Sequence, residues 1–237
     1  MTTPGPSIER LANDLLDRNG HVAMGQELLG WLAGSSRFRA FAEAHRDKIR
    51  KKLRTAVDAE TLRDVRAELQ VARLLLADRR IELAFEAYGS GKGGPDFTVT
   101  YRGTRSFNIE VTRLRHVPDA TRLGVSVLAK LRQLPPSVPN VLVVAIDGNT
   151  ADALDVGAAT RELRARADAK EEAFFARRGF EGTREFYERY LRLSAVLVWC
   201  EVAAGDARAA VWTNRSARIA VDERAVRTCL ECLRGNT

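Results

Sequence analysis

Two alternating runs joined by a short turn constrain this chain more than any other feature of its sequence. Phe97, Val99 and Tyr101 alternate with Asp96, Thr98 and Thr100, and Phe107, Ile109 and Val111 alternate with Ser106, Asn108, Glu110 and Thr112. A period of two gives each run one apolar and one polar face, as in paired β-strands. Arg102-Gly103-Thr104 between them reads as a three-residue hairpin loop, which sets Tyr101 opposite Arg105. Carried down the ladder, that register sets Asp96 opposite Glu110 on a shared face. Opposed residues have Cβ atoms roughly 4.5 to 5.5 Å apart, so two ionised carboxylates there repel unless a cation lies between them. Hard oxygen ligands of this kind suit Mg²⁺ or Mn²⁺ better than zinc. The alternative for the same pattern is a polar, solvent-facing sheet surface.

The surrounding pattern places this hairpin in an α/β fold. Residues 7 to 56 have helical periodicity in two or three segments, broken near Asn19-Gly20 and Gly34-Ser35-Ser36. A long helix is expected over 59 to 79 and a strand over 81 to 88. After a Gly-rich loop come strands 95 to 101 and 105 to 113, a helix 119 to 134 and a buried-type strand, Val141 to Ile146. Helical segments follow from about Asp155 to Arg178 and from Thr183 to Tyr190, with strands Ala195 to Trp199 and Arg208 to Trp212 and a last helix from Asp222. The expected organisation is an N-terminal helical region over 1–57 and an α/β domain over 58–237.

Charge and composition narrow the partners. The 237 residues are 45% hydrophobic with a net charge of +7, a balance that favours polyanions through phosphate neutralisation. Arg46, Lys48, Arg50, Lys51, Lys52 and Arg54 concentrate that excess on one helix, the expected nucleic-acid-binding face, and a second basic stretch runs from Arg161 to Arg178. A solvated helix face is the competing explanation for either run. The lack of any long uncharged apolar run or signal-peptide layout implies a soluble, cytoplasmic protein without membrane contact. Cys200, Cys229 and Cys232 are too few for a disulfide framework and are expected to stay thiols. His21, His45 and His116 form no nucleophilic arrangement with the remaining residues. Trp31, Trp199 and Trp212 read as core residues or strand anchors.

Glu68 stands beside the apolar stripe Leu62, Val65, Leu69, Ala72 and Leu76 of the long helix, half buried by its position. A carboxylate desolvated that way needs a cation, a metal or a proton. Salt bridging to an arginine such as Arg113 is the simplest alternative to metal binding.

Glu68 on a helix, Pro95-Asp96 opening one strand and Glu110-Val111-Thr112 inside the next together resemble the PD-(D/E)XK nuclease superfamily. The resemblance covers residues 59 to 146 and implies a restriction-endonuclease-like α-β-β-β-α-β core, a mixed sheet flanked by helices. It further implies that Asp96, Glu110 and Glu68 hold a catalytic Mg²⁺ or Mn²⁺, with Val111 lending its backbone carbonyl. The superfamily's lysine falls at Thr112, which has no charge to stabilise a developing phosphorane. Resembling families move that lysine to the following helix, where this chain has Lys130 with Gln133 one turn later. Lys92, in the glycine loop ahead of Asp96, is the second substitute; that loop lacks the spacing of a Walker A motif. The implied function is metal-dependent hydrolysis of nucleic acid, DNA rather than RNA, with a homodimer left open. The alternative is a catalytically inactive nuclease-like fold that binds nucleic acid or a partner protein.

Overall fold

The computed structural model describes residues 7–16, 22–88, 94–115, 120–147, 155–201 and 207–235. Among these residues there are ten helices and six strands. They fall into two compact units, Met1–Arg79 and Arg80–Thr237.

The first unit is helical. It contains α1 (Ile8–Leu16), α2 (Val22–Gly34), α3 (Ser36–Ala44), α4 (Arg46–Thr55) and α5 (Ala59–Leu75). Ser35 caps α3 by accepting from the Phe38 amide, and Asp58 caps α5 by accepting from the Thr61 amide, which satisfies donors that a helix start leaves open. The sequence pattern missed the break at His45, where ψ turns to 19° and α3 ends. No glycine or proline marks that bend. Leu11, Leu15, Leu28, Leu32, Phe38, Ile49 and Leu53 are almost wholly buried. Arg37 ties down the end of α5 by donating to the carbonyl oxygens of Leu76 and Asp78 at 2.6 and 2.5 Å. The long helix therefore ends at Leu75, four residues before the expected Arg79.

The second unit is built on one six-stranded mixed sheet. Its strands are β1 (Ile81–Phe85), β2 (Phe97–Tyr101), β3 (Arg105–Leu114), β4 (Asn140–Asp147), β5 (Leu193–Glu201) and β6 (Ala207–Thr213), lying side by side in chain order. β1, β2 and β3 run antiparallel, β3, β4 and β5 parallel, and β6 antiparallel to β5. Each parallel step needs a crossover. Helix α6 (Ala120–Leu131) makes the first, and α7 (Val156–Asp168), α8 (Glu172–Ala176) and α9 (Thr183–Tyr190) make the second. The expected single helix from Asp155 to Arg178 is two, because Lys170 adopts a positive φ of 54° between α7 and α8. β1 stops at Phe85 rather than residue 88, where Glu86 turns to a φ of 45°.

Alternation divides the sheet cleanly. Leu114, Leu142, Val144, Val196 and Val198 face a core shared with Leu123, Val127 and Leu131 of α6, Leu163 of α7 and Phe186 of α9. The opposite face carries Val99, Tyr101, Phe107 and Ile109, and there Thr228 on α10 (Glu223–Leu233) donates to the Tyr101 hydroxyl at 3.3 Å. Cys229 and Cys232 are buried on α10, and Trp199 is buried on β5. No helix among the described residues is long and apolar enough to cross a membrane.

Candidate functional site

The hairpin register is the one expected: Tyr101 pairs with Arg105 and Phe97 with Ile109. Arg102 and Gly103 both take positive φ, 52° and 71°, to close the turn. Asp96 is the residue just before β2, where the ladder ends, and its side chain reaches β3 at the Val111 amide beside Glu110. Both acids are nearly inaccessible, at 8% and 2% exposure. Glu110 lies on the sheet face covered by α6, an environment that desolvates a carboxylate and demands compensation.

That compensation comes from two different elements. Asp96 Oδ2 accepts the backbone N–H of Val111 at 2.8 Å. Glu110 Oε1 accepts from the Lys130 ammonium at 2.6 Å, and the same ammonium lies 3.5 Å from Gln133 Oε1. Lys130 sits in the last turn of α6, where a cation also suits the negative end of the helix. Gln133 is held one turn on by its own amide, which donates to the Lys130 carbonyl at 3.0 Å. Thr112 is partly buried on β3, two residues beyond Glu110 and so on the same face. Asp96, Glu110, Lys130, Gln133 and Thr112 thus gather where β2, β3 and the end of α6 meet. Lys92 lies outside the described residues, as does His116.

Glu68 belongs to the helical unit, and its charge is met there. The Lys52 ammonium on α4 contacts Glu68 Oε2 at 2.5 Å, with both side chains mostly buried. Lys52 therefore serves a different purpose from its neighbours on α4. Arg46, Arg50, Lys51 and Arg54 are exposed, and Lys48 is partly so. In the second basic stretch, Arg166 is bridged to Glu162 and Glu171 and Arg161 to Asp155, so much of its charge is locally matched.

Sequence reading overlooked a polar chain buried beneath the hairpin. Asn108 and Asn140 are fully buried and joined, Asn108 Nδ2 donating to Asn140 Oδ1 at 3.0 Å. Asn108 Oδ1 accepts from Thr98, and the Asn140 amide group donates to the carbonyl oxygens of Pro135, Val138 and Arg192. The bond between the two asparagines closes the first rung of the β3–β4 pairing, two residues before Glu110. Only one half of the pair carried a signal: Asn140 opens β4 ahead of an apolar run, whereas Asn108 lies inside β3.

Among the described residues no group of three or more His, Cys, Asp or Glu side chains is arranged to hold a metal ion. The two carboxylates offer the oxygen ligands that a hard divalent cation takes, and on Glu110 such an ion would compete with the Lys130 ammonium. Compared with protein-family models, with curated proteins and with solved structures, the chain matches none.

Proposed function

We propose that the second unit is a metal-dependent nuclease of the PD-(D/E)XK type with a restriction-endonuclease-like core, acting on nucleic acid and on DNA before RNA. The observation that carries this reading is the 2.6 Å contact between Lys130 and Glu110, next to the Val111 amide that donates to Asp96. It brings an acid pair and an ammonium to one point from three elements, despite the uncharged Thr112 at the position where the strand's own lysine is expected. Asp96 and Glu110, with the Val111 carbonyl, would hold Mg²⁺ or Mn²⁺. Bound there, such an ion lowers the pKa of a water and offsets charge on a phosphoryl oxygen.

The chain's own groups supply the rest. Burial holds the two carboxylates in place, and Gln133 limits where the Lys130 ammonium can go. An ammonium on a helix end can leave the carboxylate for a phosphate oxygen as negative charge develops. The basic face of α4 adds attraction for the backbone that does not depend on sequence. A second reading, a nuclease-like fold that binds without cutting, draws its support from Thr112 and from the Lys52–Glu68 ion pair. Incubation with plasmid and with linear single- and double-stranded DNA and RNA, in Mg²⁺, Mn²⁺ or EDTA, separates the two. Metal-dependent product that is lost in Asp96→Ala and Glu110→Ala is the expected result; intact substrate in every metal would leave the binding reading.

A further inference from the structure

Where α9 and β6 end, two turns carry arginines and are clamped together. Asn214, nearly buried, donates through its side chain to the carbonyl oxygens of Tyr190 and Leu193 at 3.2 and 2.9 Å and accepts the Ser216 amide at 3.0 Å. The Arg218 amide donates to the Leu191 carbonyl at 2.7 Å. These bonds hold Arg189 and Arg192, at the end of α9 and just past it, beside Arg218 on the second turn. Arg192 Nη1 in turn donates to the carbonyl oxygen of Leu134, in the loop after α6, at 3.2 Å. Arg132 joins from the start of that loop. A β-carbon on Gly179 would stand 2.5 Å from Arg132 Nη1, so the glycine leaves the guanidinium its place.

This clustering is electrostatically unfavourable. Arg192 is partly buried, and its Nε has no acceptor among the described residues. Burial, then the charges of Arg189 and Arg218, hold its pKa below the ordinary guanidinium value. Two acids lie nearby, but each has its own partner: Glu185 is bridged to Arg189 at 3.1 Å and Glu188 to Arg184 at 3.2 Å. The Glu181 amide first, and then Arg189 and Arg132, hold the Glu185 carboxyl below its ordinary pKa, which places Arg132 in the same field. Among the described residues Arg132, Arg192 and Arg218 form no ion pair. A solvated basic face spreads its long side chains into water, whereas here backbone bonds and burial keep three unmatched guanidinium groups together. Such charge is relieved by an anion, and guanidinium forks match phosphate oxygens two at a time. The cluster adjoins the candidate site, since Leu134 follows Gln133, whose Oε1 lies 3.5 Å from the Lys130 ammonium.

We propose that this cluster binds neighbouring phosphates of a nucleic-acid strand whose path continues over the loop after α6 to Lys130 and Glu110. The identity of the strand rests on the nuclease reading; the phosphate chemistry of the cluster does not. The test is binding in EDTA, where no metal-dependent cutting occurs, to single- and double-stranded oligonucleotides over a range of salt, with polyglutamate of matched length as a carboxylate arm. Arg218→Gln and Arg132→Gln/Arg218→Gln are compared with wild type and with Arg224→Gln, which removes an exposed charge from α10 on the opposite face of the sheet. Each lost contact is expected to flatten the slope of log K against log salt by about 0.7 on single strands and about 0.9 on duplex, with Arg224→Gln leaving it unchanged. Melting temperature in low salt is expected to rise in Arg218→Gln, because a repelling charge is removed. Equal slopes in wild type and double variant, or an equal effect from Arg224→Gln, would overturn the cluster as a phosphate site. Polyglutamate bound as tightly as the oligonucleotides, and weakened by the same variants, would overturn the phosphate assignment. A protein that cuts nothing in any metal yet loses slope in these variants keeps the cluster and gives up the nuclease, and a cutting protein with unchanged slopes does the reverse.

Discussion

Lys130 on helix α6 and Glu110 on strand β3 meet at 2.6 Å, so the acid of one element is neutralised by the cation of the next. Glu110 is 2% exposed and Lys130's side chain 25%, an asymmetry that makes the carboxylate the more dependent partner. Removing Lys130 strands a buried charge, for which about 3–5 kcal/mol is the usual cost. Lys130→Met is therefore expected to lower the urea midpoint strongly, and Lys130→Met/Glu110→Gln to recover much of the loss. A double variant no more stable than Lys130→Met would show the pair to be uncoupled. Lys130→Ala, in a protein that cuts, is expected to slow cleavage roughly 10²- to 10³-fold while Mn²⁺ still binds.

Asp96 answers differently, because its partner is a backbone amide. The opposed carboxylates alone suggest that deleting one would relieve repulsion. With Val111 donating to Asp96 and Lys130 to Glu110, each charge is already compensated. Asp96→Ala leaves a buried N–H without its acceptor and is expected to cost about 1–3 kcal/mol. Asp96→Asn keeps an acceptor oxygen and costs less. Both are expected to abolish calorimetric Mn²⁺ binding, and a wild-type-like titration in either would remove Asp96 from the ligand set.

On α4, the basic residues need separate variants. Arg50→Gln/Lys51→Gln/Arg54→Gln removes exposed charge, and the slope of log K against log salt is expected to flatten by about 0.7–0.9 per lost phosphate contact. Melting temperature stays put. Lys52→Gln is expected to do the reverse, costing about 1.5–3 kcal/mol through Glu68 and changing the salt slope little. An unaltered slope in the triple variant would leave α4 an ordinary solvated face.

His45 gives the helical unit a pH dependence. Burial, then the nearby Lys48 charge, holds its pKa below the ordinary 6.5, and its ring packs edge-on against Phe41. The unfolded chain therefore takes up the proton more readily than the fold does. His45's contribution to stability is complete above pH 6.5 and is lost as pH falls through the lower folded value. Melting followed from pH 8 to pH 5 is expected to show a decline that His45→Gln lessens; identical profiles would assign the decline elsewhere.

What the sequence made legible was whatever depends on period and adjacency. The hairpin came through because Phe97 to Tyr101 and Phe107 to Val111 alternate without exception and a three-residue loop leaves one register. The α/β class followed from helical and strand periods taking turns after Asp58. Helix ends held by a distant partner were illegible: Arg37 reaches α5 across more than thirty residues of chain. The break at Lys170 was hidden as well, since a lysine at positive φ has no sequence signature. Lys130 could be singled out for its residue type and its helix, but its contact with Glu110 depends on how the crossover lies on the sheet. Glu68 reads from sequence as a metal ligand, with an arginine such as Arg113 as the alternative partner, and Lys52 contacts it because α4 and α5 pack within one unit.

The separation of the acid and its lysine on different elements also bears on the order of assembly. The β2–β3 hairpin closes across three residues, whereas Lys130 is 20 residues beyond Glu110 and arrives only with the crossover. Short loops close early and long ones late. Within the hairpin Asp96 already has the Val111 amide, whereas Glu110 gains its ammonium only from α6. Burial of Glu110 is thereby tied to the docking of the crossover. A lysine on β3 itself would be present from the first moment of pairing, and this chain, with Thr112 there, ties its sheet to its helix instead.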